Sequence, residues 1–126
     1  MSLSNASSFT IPLFDKYGGF SALRAVIMAF YDRVLDSDVI GHFFEDVDLV
    51  RLIDHQTKFF TSVLGGPATF IDERLARAHA HLNVTHDHFN EVTLLLRETL
   101  TDAGFSPEDT ETTLSAVERR RTLIVE

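Results

Sequence analysis

The chain has no cysteine, which rules out disulfides, zinc–thiolate sites and cysteine nucleophiles together. Tryptophan is absent and tyrosine occurs only twice, against eleven phenylalanines. Phe supplies ring surface without a polar handle, so this bias suits a packed core or the wall around a flat apolar ligand equally. Basic charge is scarce as well: 11 Lys and Arg stand against 19 Asp and Glu, a formal net charge of −8. Phosphates would be repelled, which argues against a nucleic-acid partner and against an anionic membrane surface. No apolar run is long enough to span a bilayer, and the opening MSLSNASS lacks the hydrophobic stretch of a signal peptide. A cytoplasmic protein is the expectation. Strand-like alternation, internal repeats and low-complexity linkers are missing too.

What remains is helical periodicity. With 126 residues and 44% hydrophobic content, the chain can bury one sizeable core. The expectation is a disordered tail over residues 1–8 and a single all-α domain over 9–126. Phe9 to Tyr17 gives at most a short helical turn, closed by Gly18-Gly19. A helix starting near Ser21 carries the stripe Phe20, Leu23, Val26, Ile27, Phe30, Tyr31 and Val34, with Tyr31 at its edge. Val39, Ile40, Phe43 and Phe44 form a short apolar turn. A second helix runs from about Asp48 to Leu64 and stops at Gly65-Gly66-Pro67. Thr85 caps a long helix to Ala103, and Ser106-Pro107-Glu108-Asp109 starts the last one. There Thr113, Leu114, Val117, Arg121 and Ile124 repeat at helical spacing.

Two of these helices carry polar groups on their apolar faces. Leu75, Ala78, His79 and Leu82 fall at i, i+3, i+4 and i+7, so the His79 imidazole faces inward, while His81 lies about 200° round and faces solvent. On its own, His79 reads as a core histidine satisfied by protein partners. On the Asp48–Leu64 helix, Gln56 interrupts the stripe Leu49, Leu52, Ile53, Phe60 and Val63. A buried amide left unpaired costs about 1–3 kcal/mol, so Gln56 is expected to be hydrogen-bonded inside. His55 sits at the border of that face. Two inward polar intrusions on facing helices suggest an iron centre between them. The run His79, His81, His86, His88 is a poor metal site, because alternate helical residues diverge and nothing completes a tetrahedral set. Arg119-Arg120-Arg121 reads as a basic turn complementing the helix dipole.

Order and spacing then carry a resemblance. Gly18-Gly19 follows a vestigial first helix, and Phe30-Tyr31 lies two-thirds along the next. Phe43-Phe44 comes after it, then the Gln56 helix ending in Phe59-Phe60 and Gly65-Gly66-Pro67, and Ala78-His79 ten residues before Phe89. From about Leu13 to Val117 the chain resembles the group 1 truncated haemoglobins, the two-over-two globins of bacteria, protists and algae. The resemblance implies a two-over-two helical sandwich around one haem b (iron protoporphyrin IX), with a very short first helix. It implies that His79 is the proximal iron ligand, that Tyr31 and Gln56 are distal hydrogen-bond donors, and that Phe44 packs on the porphyrin. Phe30, Leu52, Phe60, Leu75 and Phe89 complete the expected pocket wall, and Lys58 and Arg77 stand as candidates to meet the haem propionates.

Two departures bear on function. Leu52 stands where family members often carry a polar residue, so the distal network is thinner. His55 resembles the histidine that in cyanobacterial members binds iron as a sixth ligand; a solvated residue near a propionate edge is the other reading. The implied activity is binding of oxygen, nitric oxide or another diatomic ligand by a monomer, with or without oxidation of nitric oxide to nitrate supported by a separate reductase. A non-catalytic carrier or sensor is the alternative, and a haem-free helical interaction domain the third. Retention of His79 with Tyr31 and Gln56 argues against the third.

Overall fold

A single turn of helix, α1 (Leu13–Lys16), ends at a corner where Gly18 and Gly19 take φ of 104° and 78°, a region that side chains with a Cβ avoid. The computed structural model describes residues 11–70 and 72–125, so the expected tail over 1–8 lies outside the described residues. After the corner come α2 (Gly19–Leu35), a 3-10 turn (Gly41–Phe44), α3 (Leu49–Val63), α4 (Asp72–His79), α5 (His86–Asp102), α6 (Pro107–Glu118) and α7 (Arg121–Ile124). Three starts are fixed by side chains. Asp48 accepts from the Arg51 N–H at 3.2 Å, and Ser106 accepts from the Asp109 N–H at 3.1 Å, with Pro107 in the first turn. Thr85 and His88 cap each other reciprocally, the Thr85 N–H donating to His88 Nδ1 at 3.1 Å. Each cap is worth about 1 kcal/mol.

The pair α2–α3 lies over the pair α5–α6: α2 packs on both α3 and α5, and α5 packs on α6. This is the two-over-two sandwich. Ile27, Val34, Ile40 and Leu96 are sealed between the layers at 1% exposure. Thr57, Thr61, Thr99 and Thr113 are buried with them, because each hydroxyl donates to the carbonyl four residues earlier and so loses little on leaving water.

The short first helix is tied down at both ends. Phe14 donates its N–H to Leu64 O at 3.0 Å, and its ring lies so close to Gly66 that a Cβ there would meet it at 2.6 Å. Tyr17 stacks on Phe105 with centroids 3.8 Å apart, and its hydroxyl donates to Asp109 at 2.5 Å. Lys16 reaches the same carboxylate at 2.7 Å. These donors, Lys16 first, hold the Asp109 carboxyl below its usual pKa.

Three expectations differ from the structure. Helix α2 starts at Gly19 rather than Ser21, which leaves Phe20 49% exposed, off the buried stripe. Helix α4 ends at His79; the Leu82 N–H turns back to His79 O at 3.1 Å, and Asn83 adopts φ 54° to redirect the chain. Asn tolerates that conformation, and periodicity cannot register it. The last helix is broken at Arg119–Arg120, so Arg121 and Ile124 belong to a separate turn. Among the described residues, no helix is long and apolar enough to cross a membrane.

Candidate functional site: a cavity between His79 and Tyr31

Helix α4 packs chiefly against α7 and stands off from the sandwich. Between them lies a cavity of about 640 Å³, within the range that buries a cofactor-sized ligand. The iron-ligand, distal and wall candidates read from the sequence all reach it. Phe30, Tyr31, Phe44, Leu52, His55, Gln56, Phe60, Leu75, His79 and Phe89 line one continuous space.

On one side stands His79. Its Nδ1 lies 2.8 Å from Leu75 O, and a carbonyl can only accept, so Nδ1 carries the proton. The Nε2 lone pair is thereby left free, on a ring whose orientation the helix itself fixes. Leu75 is 4% exposed and anchors that turn.

Tyr31 on α2 and Gln56 on α3 line the same cavity. Tyr31 is 5% exposed, its ring held edge-on by Phe30 at 5.0 Å and Phe44 at 5.7 Å between centroids. Its hydroxyl has no hydrogen-bond partner among the described residues, and burial pushes the phenol well above its usual pKa, so it stays a neutral donor. Gln56 corrects the sequence reading: it is half-buried, and no protein group among the described residues bonds its amide. The stripe that carries it faces the cavity instead of closed protein, so the amide is not sealed in. His55 is exposed yet also lines the cavity, beside Gln56.

Lys58, Arg74 and Arg120 line the cavity too. Of the two cations expected from sequence only Lys58 does so; Arg77 is exposed one turn away, and Arg74 takes that place. Phe59 and Phe70, edge-on to each other at 5.1 Å, add to the aromatic wall. Phe70 follows a glycine-rich loop with no periodicity, and Arg120 arrives through a helix break, so neither carried a readable signal. Of the remaining histidines, His88 also lines the cavity while its Nδ1 accepts from the Thr85 N–H, His86 Nδ1 accepts from Arg121 at 3.1 Å, His42 packs against Phe43, and His81 is exposed. Among the described residues no group of three His, Cys, Asp or Glu could hold a metal ion.

An imidazole with a free Nε2, a wall of phenylalanines, two unpaired polar groups and several cations on one lining fit a flat apolar macrocycle bearing carboxylates. The fold and this cavity define a haem-binding helical protein of the globin type. A family model described as bacterial-like globin matches residues 12–125. The group 1 truncated haemoglobin of Synechocystis sp. is 37% identical over 109 residues, 83% of this chain and 87% of that protein. That of Tetrahymena thermophila is 32% identical over 96 residues, covering 76% and 79%. The solved Fe(III) form of the Tetrahymena pyriformis truncated haemoglobin aligns with TM-score 0.84 at 28% identity, over 91% of this chain and 98% of that one. The chain belongs to the bacterial-like globin family, as a group 1 truncated haemoglobin with haem b as cofactor. Haem-based binding of diatomic ligands such as oxygen is its function at that level.

Proposed function

We propose that the chain, as one domain over residues 9–126, binds oxygen and nitric oxide with His79 as proximal ligand and Tyr31 and Gln56 as distal donors, and that it oxidises nitric oxide to nitrate. The observation that carries this reading is one cavity lined by His79, with its Nε2 free, and by two polar groups that have no protein partner among the described residues. Haem, when bound, supplies an iron with one position for the protein and one for a diatomic ligand. The Leu75 carbonyl polarises His79 and fixes its ring. Tyr31 and Gln56 donate to a ligand that gathers negative charge, and the phenylalanine wall keeps bulk water from competing. Lys58 and Arg74 are placed to meet the haem carboxylates.

Nitric oxide, oxygen and one electron make nitrate, so turnover needs a separate reductase to return the electron. The test mixes the reduced, aerated, haem-loaded protein with one equivalent of nitric oxide. Nitrate in equal amount, with conversion to the ferric spectrum, is expected. Nitric oxide retained without nitrate would favour the carrier or sensor reading.

His55 supports a further step in this reading. It borders the cavity beside Gln56, and Leu52, one turn earlier, offers no donor to hold a competing water. In this reading His55 would be a second protein ligand to the iron in the ligand-free protein, and an incoming ligand would have to displace it. Apparent affinity then falls by the fraction of open protein, and binding rates saturate at high ligand concentration. The ferrous visible spectrum of the wild type should show sharp low-spin bands that broaden to a five-coordinate form in His55→Leu. A wild type already five-coordinate, and unmoved by the change, would return His55 to solvent.

A further inference from the structure

Arg119-Arg120-Arg121 does more than complement a helix dipole. The break between α6 and α7 throws Arg120 and Arg121 towards different helices. Arg120 donates from Nε to Asp72 Oδ1 at 3.2 Å and from Nη1 to Ala116 O at 2.5 Å. Its guanidinium lies 5.3 Å from the Phe59 ring centroid, and it lines the cavity. Arg121 holds both Glu118 oxygens at 2.7 and 2.8 Å, donates to Asn90 Oδ1 at 2.7 Å, and sits 4.4 Å over Phe89. Asp72 opens α4, the helix that ends on His79; Asn90 and Phe89 lie in the first turns of α5. Two consecutive residues therefore grip both ends of the segment 72–90 that carries His79.

We propose that Arg120 is a positioning residue of the haem site, which through Asp72 sets the pose of α4 and hence the direction of His79 Nε2. The inference rests on the reading of His79 as proximal ligand. An isolated exposed ion pair would do little of this, and Asp72 is 56% exposed. Arg120, however, is only 22% exposed and is held at its own end by Ala116 and Phe59, so its planar fork is pre-organised. Helix α4 has eight residues, too few to hold its own shape in water. One of its faces borders the cavity and its chief packing partner is α7, a helix of four residues. Its pose thus depends on ties such as this one. Arg121 secures the far end of the segment, at the first turns of α5.

The test uses the haem-loaded full chain and four variants: Asp72→Asn, Arg120→Gln, Arg120→Lys and the double change Asp72→Asn with Arg120→Gln. The readout is the iron–histidine stretching band in resonance Raman after photolysis of the carbon monoxide complex, with haem release to an excess of apoglobin as the second measurement. Asp72→Asn and Arg120→Gln should move the band in the same direction and speed haem release by about two- to tenfold, the double variant doing no more than either alone. Arg120→Lys, which keeps the charge but loses the fork, should lie between them and the wild type. A band unmoved in both single variants, whatever their melting temperatures, would overturn the proposal. So would a change in Arg120→Gln that Asp72→Asn does not share and that disappears with haem dimethyl ester, since Arg120 would then hold a haem carboxylate directly. No iron–histidine band in the wild type would instead refute the His79 reading beneath it.

Discussion

His79→Gly is expected to lose stable haem, and imidazole added to the solution is expected to restore it. The Leu75 carbonyl accepts from Nδ1, so Nε2 keeps its lone pair on a ring that lines the cavity. Outer-shell partners of a metal ligand are worth about ten- to a hundredfold in affinity, so deleting the ligand itself should cost about a hundredfold or more. Apolar contact with Phe44, Phe60 and Phe89 would still hold a haem loosely in the vacated cavity. Free imidazole could fill the space left by the side chain and ligate in its place. A hemin titration followed at the Soret band checks this, with His81→Gly as control, because His81 is exposed and lies outside the cavity lining. Haem lost from His81→Gly and kept by His79→Gly would mean that the helix register is wrong.

The second large effect is on ligand retention. Tyr31→Phe keeps the ring and its edge-on contacts with Phe30 and Phe44 and removes only the hydroxyl. Hydrogen bonds to a charged or strongly polarised acceptor contribute about 1.5–3 kcal/mol, and each 1.4 kcal/mol is about tenfold. Oxygen should therefore dissociate about ten- to a hundredfold faster from the variant. Replacement by water is hindered, since Tyr31 is 5% exposed and Leu52 presents no donor. The sign with pH follows from burial, which raises the phenol pKa: the donor proton is present throughout the neutral range and past the usual tyrosine value. The wild-type off-rate should thus stay flat to about pH 10. Stopped-flow displacement of oxygen by carbon monoxide measures both. An off-rate unchanged by Tyr31→Phe would place the hydroxyl away from the ligand.

How much could be read without coordinates differs from one residue to the next. Helix starts at Asp48, Thr85 and Ser106 were legible because a capping side chain acts on a backbone group two or three residues away. The stripes that put Phe30, Tyr31, Gln56 and Phe60 on one cavity were legible because helical period is a local property. Periodicity puts Leu82 on a helix that has already ended, since the left-handed turn at Asn83 leaves no periodic trace. Thr57 and Thr61 look like surface residues by composition and become core by bonding to their own helix. The expectation of an internal partner for Gln56 fails because a stripe shows which way a residue faces and not whether protein or open space lies there. Arg74 and Arg120 could not be ranked above Arg77, because their places depend on how α4 and α7 meet.

The claim under all of this is that one iron stands between His79 Nε2 and the Tyr31 hydroxyl. Anomalous diffraction at the iron edge, from crystals of the haem-loaded chain, tests it most directly. A single peak in the cavity is expected at coordination distance from His79 Nε2, with Tyr31 and Gln56 on its opposite side. A peak ligated by His81 or His88, or one lying outside the cavity, would contradict it.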